Sequence, residues 1–456
     1  MKKKFIALLL GLAMVVALAA CGSSTPATTA APETTAAPET TAAPESGEDI
    51  TAAPETEAAP ETVAAKGTIK VGHLLDLTGV EKITGDTAHE AFTFACDYIQ
   101  KTTGWTIEVV EGDCQSDSDK AANQAEQMIA QGCQVIFGPT QIGHKKAVLA
   151  YVADNNIPVV LYNGSPAAFT GGFLFGNDMI VALGGGTAGF PTVMADYIYN
   201  DLGYKTVYCF KQETVGGNNY VDPFKTCFEA MGGTVIDNIA VAQGTNDWSA
   251  YLATMINSDA EAIVGWTSSS DAIAFFKEWY NSGAYEKLPV FATMHGGFAD
   301  SYVMDELDSK IVDALIEKGL VAPICWAYSI ENDYNAEYVA AYTDAVGHRP
   351  IGNNLAGSCA QALLCLTTAL DNLGVTDPTT LSAADLATAM RAAEFDGPEG
   401  HTVFADGTVV ATKDVYVVKD VKLEDGSYNY EVVKTYPQIT ESGYNYDAAS
   451  DTYLGN

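Results

Sequence analysis

Short, unbroken apolar runs alternate with longer helical patterns through most of this chain, and one such unit occurs twice. Ile136-Phe137-Gly138-Pro139-Thr140 leads into a helical stretch and then into Ile157-Pro158-Val159-Val160. Ile263-Val264-Gly265-Trp266-Thr267 leads into another and then into Leu288-Pro289-Val290-Phe291. Continuous Val/Ile/Phe runs suit strands buried on both faces, and parallel strands need a crossover between them, usually a helix. The predicted strands of the first series are Ile69–Leu75, Thr106–Glu111, Gln134–Phe137, Pro158–Tyr162 and Phe173–Phe175, with helices at Asp86–Lys101, Asp117–Gln131 and Ile142–Asn155. The second series is predicted as helix Ile180–Leu202, strand Thr206–Phe210, helix Asn219–Met231, strand Thr234–Ala242, helix Trp248–Asn257, strand Ala262–Trp266, helix Asp271–Ser282, and strands Val290–Met294 and Gly319–Pro323. Three helices follow at Asp333–Val346, Leu355–Leu373 and Ala383–Ala393, then strand-like alternation from Thr402 to Tyr436 with a hairpin signal at Asp425-Gly426. Two doubly wound α/β lobes of similar size are the simplest fold for this pattern.

The front of the chain has another composition. Lys2, Lys3 and Lys4 precede an apolar stretch from Phe5 to Ala20, which Leu18-Ala19-Ala20-Cys21 closes. That order is a secretory signal, short for a membrane span. Cys21 after Leu-Ala-Ala resembles the lipobox of bacterial lipoproteins, which implies lipidation of the thiol. Residues 22–65 repeat Ala, Pro, Thr and Glu with almost no large apolar residue, so burial cannot offset their chain entropy and a disordered tether is expected.

The folded part should be acidic, since the chain carries 58 Asp and Glu against 23 Lys and Arg. A negative surface disfavours nucleic acid and anionic lipid as partners. Besides Cys21, eight cysteines remain, and no spacing selects a pairing; most read as small buried hydrophobes. Neither a CxxC pair nor a Cys/His cluster suggests zinc, and no cofactor is expected. Gly184 to Gly189 formally fits GxGxxG but sits in no tight strand-to-helix turn. GxxxxGK[ST], HExxH and GxSxG are absent from the sequence, so an enzyme is not expected. Asp117 reads as the start of a helix rather than as part of a calcium loop, whose glycine and distal glutamate are missing.

Ligands of open parallel sheets collect beyond the carboxyl ends of the strands, and here those ends are polar. Thr140-Gln141-Ile142-Gly143-His144 follows the third strand and Asn163-Gly164-Ser165 the fourth. Their second-series counterparts are Thr267-Ser268-Ser269-Ser270-Asp271 and Met294-His295-Gly296-Gly297. Helix-start N–H groups supplemented by hydroxyls suit a carboxylate, although each hydroxyl could equally cap its own helix.

The run Ile69-Lys70-Val71-Gly72-His73-Leu74-Leu75-Asp76-Leu77-Thr78-Gly79 resembles the opening of the extracellular solute-binding proteins of branched-chain amino acid and amide ABC transporters. Gly85-Asp86, Asp113, Val135 to Pro139, Gly244-Thr245-Asn246-Asp247-Trp248-Ser249 and Gly397-Pro398-Glu399-Gly400 resemble later motifs of that family, in order. The resemblance implies a type I periplasmic binding protein fold, two α/β lobes joined by three crossover segments near Gly176–Met179, Cys325–Ser329 and Gly397–Phe404. It implies a signal peptide over 1–20, Cys21 and tether over 21–65, a solute-binding domain over 66–436 and a C-terminal tail over 437–456. Lobe one would hold about 66–176 and 327–397, and lobe two about 178–324 and 405–436.

By the same resemblance, Thr140, Gln141, Ile142, Gly143, Asn163, Gly164 and Ser165 would clamp a carboxylate. His295 stands where relatives place an acidic residue for an α-amine, and Asp76 could supply that anion instead. Tyr220, Trp266 and Ser268 complete the expected lining. The implied function is capture of a small solute, a branched-chain or related amino acid first, and delivery to an ABC permease by a lipid-anchored, extracytoplasmic monomer. A short amide, an aromatic or aliphatic carboxylate, or a sensor role with a signalling partner are the alternatives. Cys21→Ser is expected to abolish incorporation of a labelled fatty acid and to move the protein from the membrane to the soluble fraction on cell fractionation.

Overall fold

The computed structural model describes residues 63–79, 81–164, 177–184, 189–350, 354–405, 407–440, 442–447, 450 and 452–455. The signal, Cys21, nearly all of the tether, Ser165 and the expected strand Phe173–Phe175 lie outside them.

Five parallel strands form the first sheet: β1 (Gly67–Leu75), β2 (Trp105–Asp113), β3 (Val135–Phe137), β4 (Val159–Leu161) and β5 (Ile180–Ala182), in the order β2-β1-β3-β4-β5. Helices α1 (Lys82–Thr103), α2 (Ser118–Ala130) and α3 (Ile142–Asn155) connect them. Strand side chains alternate between two cores, as the period of two demands. Val71, Val135, Phe137 and Val160 face one core, with Phe92 of α1. Leu74, Ile136, Val159 and Leu161 face the other, with Met128 of α2 and Val148 of α3. Asp117 begins α2 as expected, its side chain accepting from the N–H groups of Asp119 and Lys120.

The second series opens with α4 (Gly189–Asp196), which runs into a π-helical turn over Tyr197–Asp201. Then come β6 (Thr206–Gln212), α5 (Val215–Ala230), β7 (Thr234–Val241), α6 (Ser249–Ile256), β8 (Ala262–Trp266), α7 (Ser269–Asn281), α8 (Ala284–Lys287) and β9 (Val290–Ala292). The parallel sheet order is β7-β6-β8-β9, the order of the first four strands of the first sheet with each index advanced by five. The repeated sequence unit therefore marks a repeated topology. Tyr208, Phe210 and Ile263 pack on one face, and Val207, Cys209 and Val264 on the other.

One expectation fails at the junction. The predicted helix over Ile180–Leu202 begins at Gly189, because Ile180–Ala182 pairs with β4 as a strand. Ile180, Val181 and Ala182 are fully buried, and the β-branched run fits a sheet position better than a helix. The chain thus stays in the first sheet as far as Ala182, beyond the crossover expected at Gly176–Met179.

Helices α9 (Ser301–Asp305) and α10 (Ser309–Lys318), which the sequence reading left unassigned, precede β10 (Val321–Ile324). Next come α11 (Asp333–Val346), α12 (Leu355–Leu373) and α13 (Ala383–Arg391). The last strands are β11 (Phe395–Gly397), β12 (Gly400–Phe404), β13 (Ala411–Lys422) and β14 (Tyr428–Ile439). Strand β13 pairs antiparallel with β10, β12 and β14, and the β13–β14 turn carries Gly426 at φ +85°. Its side chains alternate between cores: Val415 and Val417 join that of β6 and α5, Tyr416 and Val418 that of β1 and α12. Beyond Tyr436 the chain remains packed, since β15 (Tyr446–Asp447) pairs with β16 (Thr452–Tyr453) and Tyr446 is buried.

A buried ion pair sits among these strands. Lys413 Nζ lies 2.5 Å from Glu399 Oε2, both side chains at most 3% exposed. Ser358 Oγ donates to the other carboxylate oxygen, and Tyr416 Oη donates to the Glu399 carbonyl at 3.1 Å. Removing one partner strands a charge in low dielectric. Glu399→Gln should therefore cost about 3–5 kcal/mol in urea unfolding, while the Glu399→Met, Lys413→Met double variant recovers most of it.

Candidate functional site

The polar ends of the first sheet converge on Asp76, the residue after β1. Asp76 is fully buried and accepts from the Ser116 N–H at 2.6 Å. Thr140 Oγ1 lies 3.5 Å and His144 Nδ1 3.7 Å from its second oxygen. Burial raises its affinity for a proton, against the opposing field of His144. The α1 backbone presses on this turn: a Cβ on Gly85 would stand 1.8 Å from the Asp76 carbonyl oxygen, so the position admits only glycine.

Two loops meet over this base. Gly138, at φ +95°, turns the chain out of β3 through a cis peptide to Pro139, and a Cβ there would meet the Leu74 carbonyl at 2.4 Å. Thr140 follows, 1% exposed, and its carbonyl accepts from Asn163 Nδ2 at 3.2 Å. Gln141 starts α3 without a side-chain cap, so its amide is free to donate to Glu81 Oε2 at 3.1 Å. Gly143 is exposed, with its carbonyl 3.4 Å from Ser118 Oγ. Asn163 and Gly164 accept, through their main-chain oxygens, from the Lys145 ammonium on α3. Asp76, Thr140, Asn163 and Gly164 are thus tied into one network, which Gln141 joins through Glu81, whose N–H donates to Ser116 Oγ at 3.1 Å, and the backbone of Ile142 and Gly143 begins α3 beside it. Ser165 lies outside the described residues.

At the second sheet a corresponding network occupies the ends of β6 and β8. Gln212 Nε2 donates to Ser268 Oγ at 2.8 Å and to Asp271 Oδ2 at 2.9 Å, and the Gly244 N–H also donates to Asp271, at 2.9 Å. Tyr220 on α5 meets Trp266 edge-on, ring centroids 5.1 Å apart. Trp266 Nε1 donates to the Gly296 carbonyl at 2.8 Å. Tyr220 Oη is buried with no hydrogen-bond partner among the described residues, and burial raises its affinity for a proton.

His295, after β9, is 1% exposed. Its Nδ1 lies 2.9 Å from Asp300 Oδ1, and the second oxygen of Asp300 accepts from the Gly297 N–H at 2.8 Å. The ring abuts Tyr430 of β14 with centroids 4.4 Å apart. Nε2 of His295 has no hydrogen-bond partner among the described residues. Among the described residues, no hydrogen bond or ion pair joins the first-sheet network to Tyr220, Trp266, Ser268 or His295.

Glu81, Ser116, Lys145, Gln212, Asp271 and Asp300 were not among the expected site residues. Gln212 had a signal, since it ends a buried strand of the second series at the place where Asp76 follows β1. Lys145 had none: Lys145-Lys146 reads as a solvated pair, yet Lys146 is exposed and Lys145 buried. Among the described residues no group of three or more His, Cys, Asp or Glu could hold a metal ion.

Residues 68–427 match the family model described as periplasmic binding protein. The chain belongs to that family. It is similar to Leu/Ile/Val-binding protein homolog 6 of Brucella suis biovar 1 (strain 1330), 21% identical over 380 residues that cover 82% of this chain and 93% of the relative. An ABC transporter substrate-binding protein from Sphaerobacter thermophilus superposes with TM-score 0.72 at 22% identity, covering 81% of this chain and 98% of the other. A solute-binding protein of an ABC transporter from Rhodopseudomonas palustris BisB5, solved with 3,4-dihydroxybenzoic acid, superposes with TM-score 0.69 at 20% identity, covering 82% and 98%. The fold is therefore that of the leucine-binding-protein-like type I periplasmic binding proteins, and the chain is a non-enzymatic, extracytoplasmic binding protein.

The raised proton affinity of Asp76 has a definite sign. A carboxyl that holds its proton more tightly when folded stabilises the native state fully below the unfolded aspartate range, and that contribution is lost as pH rises through the folded value. Asp76→Asn keeps an oxygen for the Ser116 N–H. Its native stability, measured by urea unfolding between about pH 4 and pH 8, should accordingly decline less steeply with rising pH than that of the parent.

Proposed function

We propose that this protein captures a small organic carboxylate between its two lobes and delivers it to an ABC permease, with a branched-chain or related amino acid as the first ligand class. The observation that carries this reading is the pairing of Thr140 with Asn163 at the ends of β3 and β4. The start of α3 beside them offers N–H groups of the kind that bind carboxylates. The second lobe would close through Ser268 and Tyr220, with His295 reached through Nε2. Ligand capture shifts such a protein toward its closed form only if the ligand touches both lobes, because differential affinity alone moves that equilibrium. Lobe boundaries follow the two parallel sheets, with the anchor at Cys21 keeping a monomer beside the permease.

An aromatic carboxylate is the second reading, and a specific contact favours it. Tyr220 and Trp266 form an edge-to-face pair, and Trp266 is half-buried, which suits a flat apolar ligand. The fate of the expected amine acceptors points the same way. Asp76 is enclosed by Ser116, Thr140 and His144, and His295 is held by Asp300.

A thermal-shift screen separates these classes. A ligand at 100 times its Kd adds about 2.7 kcal/mol of native stability, enough to raise the melting point by a few degrees. Leucine, isoleucine and valine should do so under the first reading. If they leave the melting point unmoved while benzoate or 4-hydroxybenzoate raises it, the aromatic acid replaces the amino acid. If only short amides raise it, the carboxylate reading fails.

A further inference from the structure

Lys145 is 1% exposed and sits in the first turns of α3, behind the loops that end β3 and β4. Its ammonium donates to the Asn163 and Gly164 main-chain oxygens, the second at 2.7 Å. An ammonium carries three protons, and these carbonyls take two. Among the described residues no carboxylate lies within ion-pair distance of it. Lys413, the other lysine buried to this depth, shows the contrast, since Glu399 stands 2.5 Å from its ammonium. Burial without a counter-charge pushes the Lys145 pKa down to about 7.

The position of this unpaired charge is the informative part. Asn163 gives its main-chain oxygen to Lys145 and its side-chain amide to the Thr140 carbonyl. One residue therefore couples the lysine to both loops of the candidate site. Asp76, the buried carboxyl at this end of the sheet, lies 3.7 Å from His144 Nδ1 and makes no ion pair with Lys145. A buried cation without a protein anion is costly unless another anion arrives.

We propose that the missing partner is the carboxylate of the ligand, and that Lys145 is the residue that makes this site select an acid over its neutral isostere. The proposal rests on the reading that the Thr140 and Asn163 loops hold the ligand. It adds to the candidate site a charged specificity determinant, carried on α3. Lys145 acts here through its charge and through its grip on the Asn163–Gly164 loop.

The test uses isosteric pairs, benzoate with benzamide and leucine with leucinamide, titrated calorimetrically into the full folded protein. The parent should prefer the acid by about 100-fold in at least one pair, as expected for a charge-assisted contact in a desolvated site. Lys145→Gln keeps an amide donor for the two carbonyls but has no charge, and Lys145→Met removes both. Either variant should bring the acid-to-amide ratio to within about fivefold. A merely structural lysine would weaken acid and amide alike and leave the ratio unchanged, which overturns the proposal and leaves the carboxylate reading standing. A parent protein that binds neither acid overturns both.

Discussion

Parallel hydrogen bonding is the constraint on which the remaining structure depends. β1 pairs in parallel with β2 and β3, and β6 with β7 and β8. Parallel neighbours cannot be joined by a hairpin, so each connection crosses a face of the sheet and every strand ends on the same edge. This gives the sheets two covered faces, hence continuous apolar strands with a core on each side. It also gathers Asp76, Thr140 and Asn163 at one edge of the first sheet, and Gln212, Ser268 and His295 at the matching edge of the second. The site follows from the pairing; no individual side chain was needed to place it.

The same logic explains what could be read in advance. The interior strands β3, β4 and β8 are runs of apolar residues, and the expected bounds of β1, β3, β4, β6 and β8 all fall within two residues of those observed. The recurrence of Gly-x-Thr after β3 and β8 disclosed the repeated order. Ile180–Ala182 misled because a three-residue strand followed by glycines leaves too short a run to show its period, and the apolar face of α4 begins soon after. Helix α10 carried a usable pattern, with Ile311, Val312, Ala314 and Leu315 buried on one face, but its polar approach concealed the start. In the site, residues at strand ends were recognisable as polar tips following apolar runs. Lys145 was not, since only the fold distinguishes a lysine turned inward from its exposed neighbour Lys146.

Buried charge is used in three ways in this molecule. Glu399 and Lys413 cancel beside the Ser358 hydroxyl, and with the Glu399 N–H donating to Gln361 Oε1 they hold the start of β12 and β13 against α12. Asp300 spends its two oxygens on His295 and the Gly297 N–H, closing the loop after β9. Asp76 and His144 stand at a longer distance beneath the first-sheet loops. The first two arrangements satisfy their members locally and read as architecture. The third lies where loops meet, and leaves the neighbouring lysine without an acid of its own.

The eight described cysteines have a consequence of a different kind. None of them forms a disulfide, seven are buried, and burial raises the proton affinity of Cys96, Cys114, Cys133, Cys209, Cys359 and Cys365. The thiolate is the reactive form, so these sulfurs are inert only while the fold is closed around them. For a protein that works outside the cytoplasm, the packed state is then also a chemical shelter. Each opening of a core exposes a thiol to an oxidising surrounding, and a mispaired disulfide would make that opening permanent. Tight packing around α12 and β6 thus guards the reversibility of folding itself, a demand on these cores that solute capture alone would not impose.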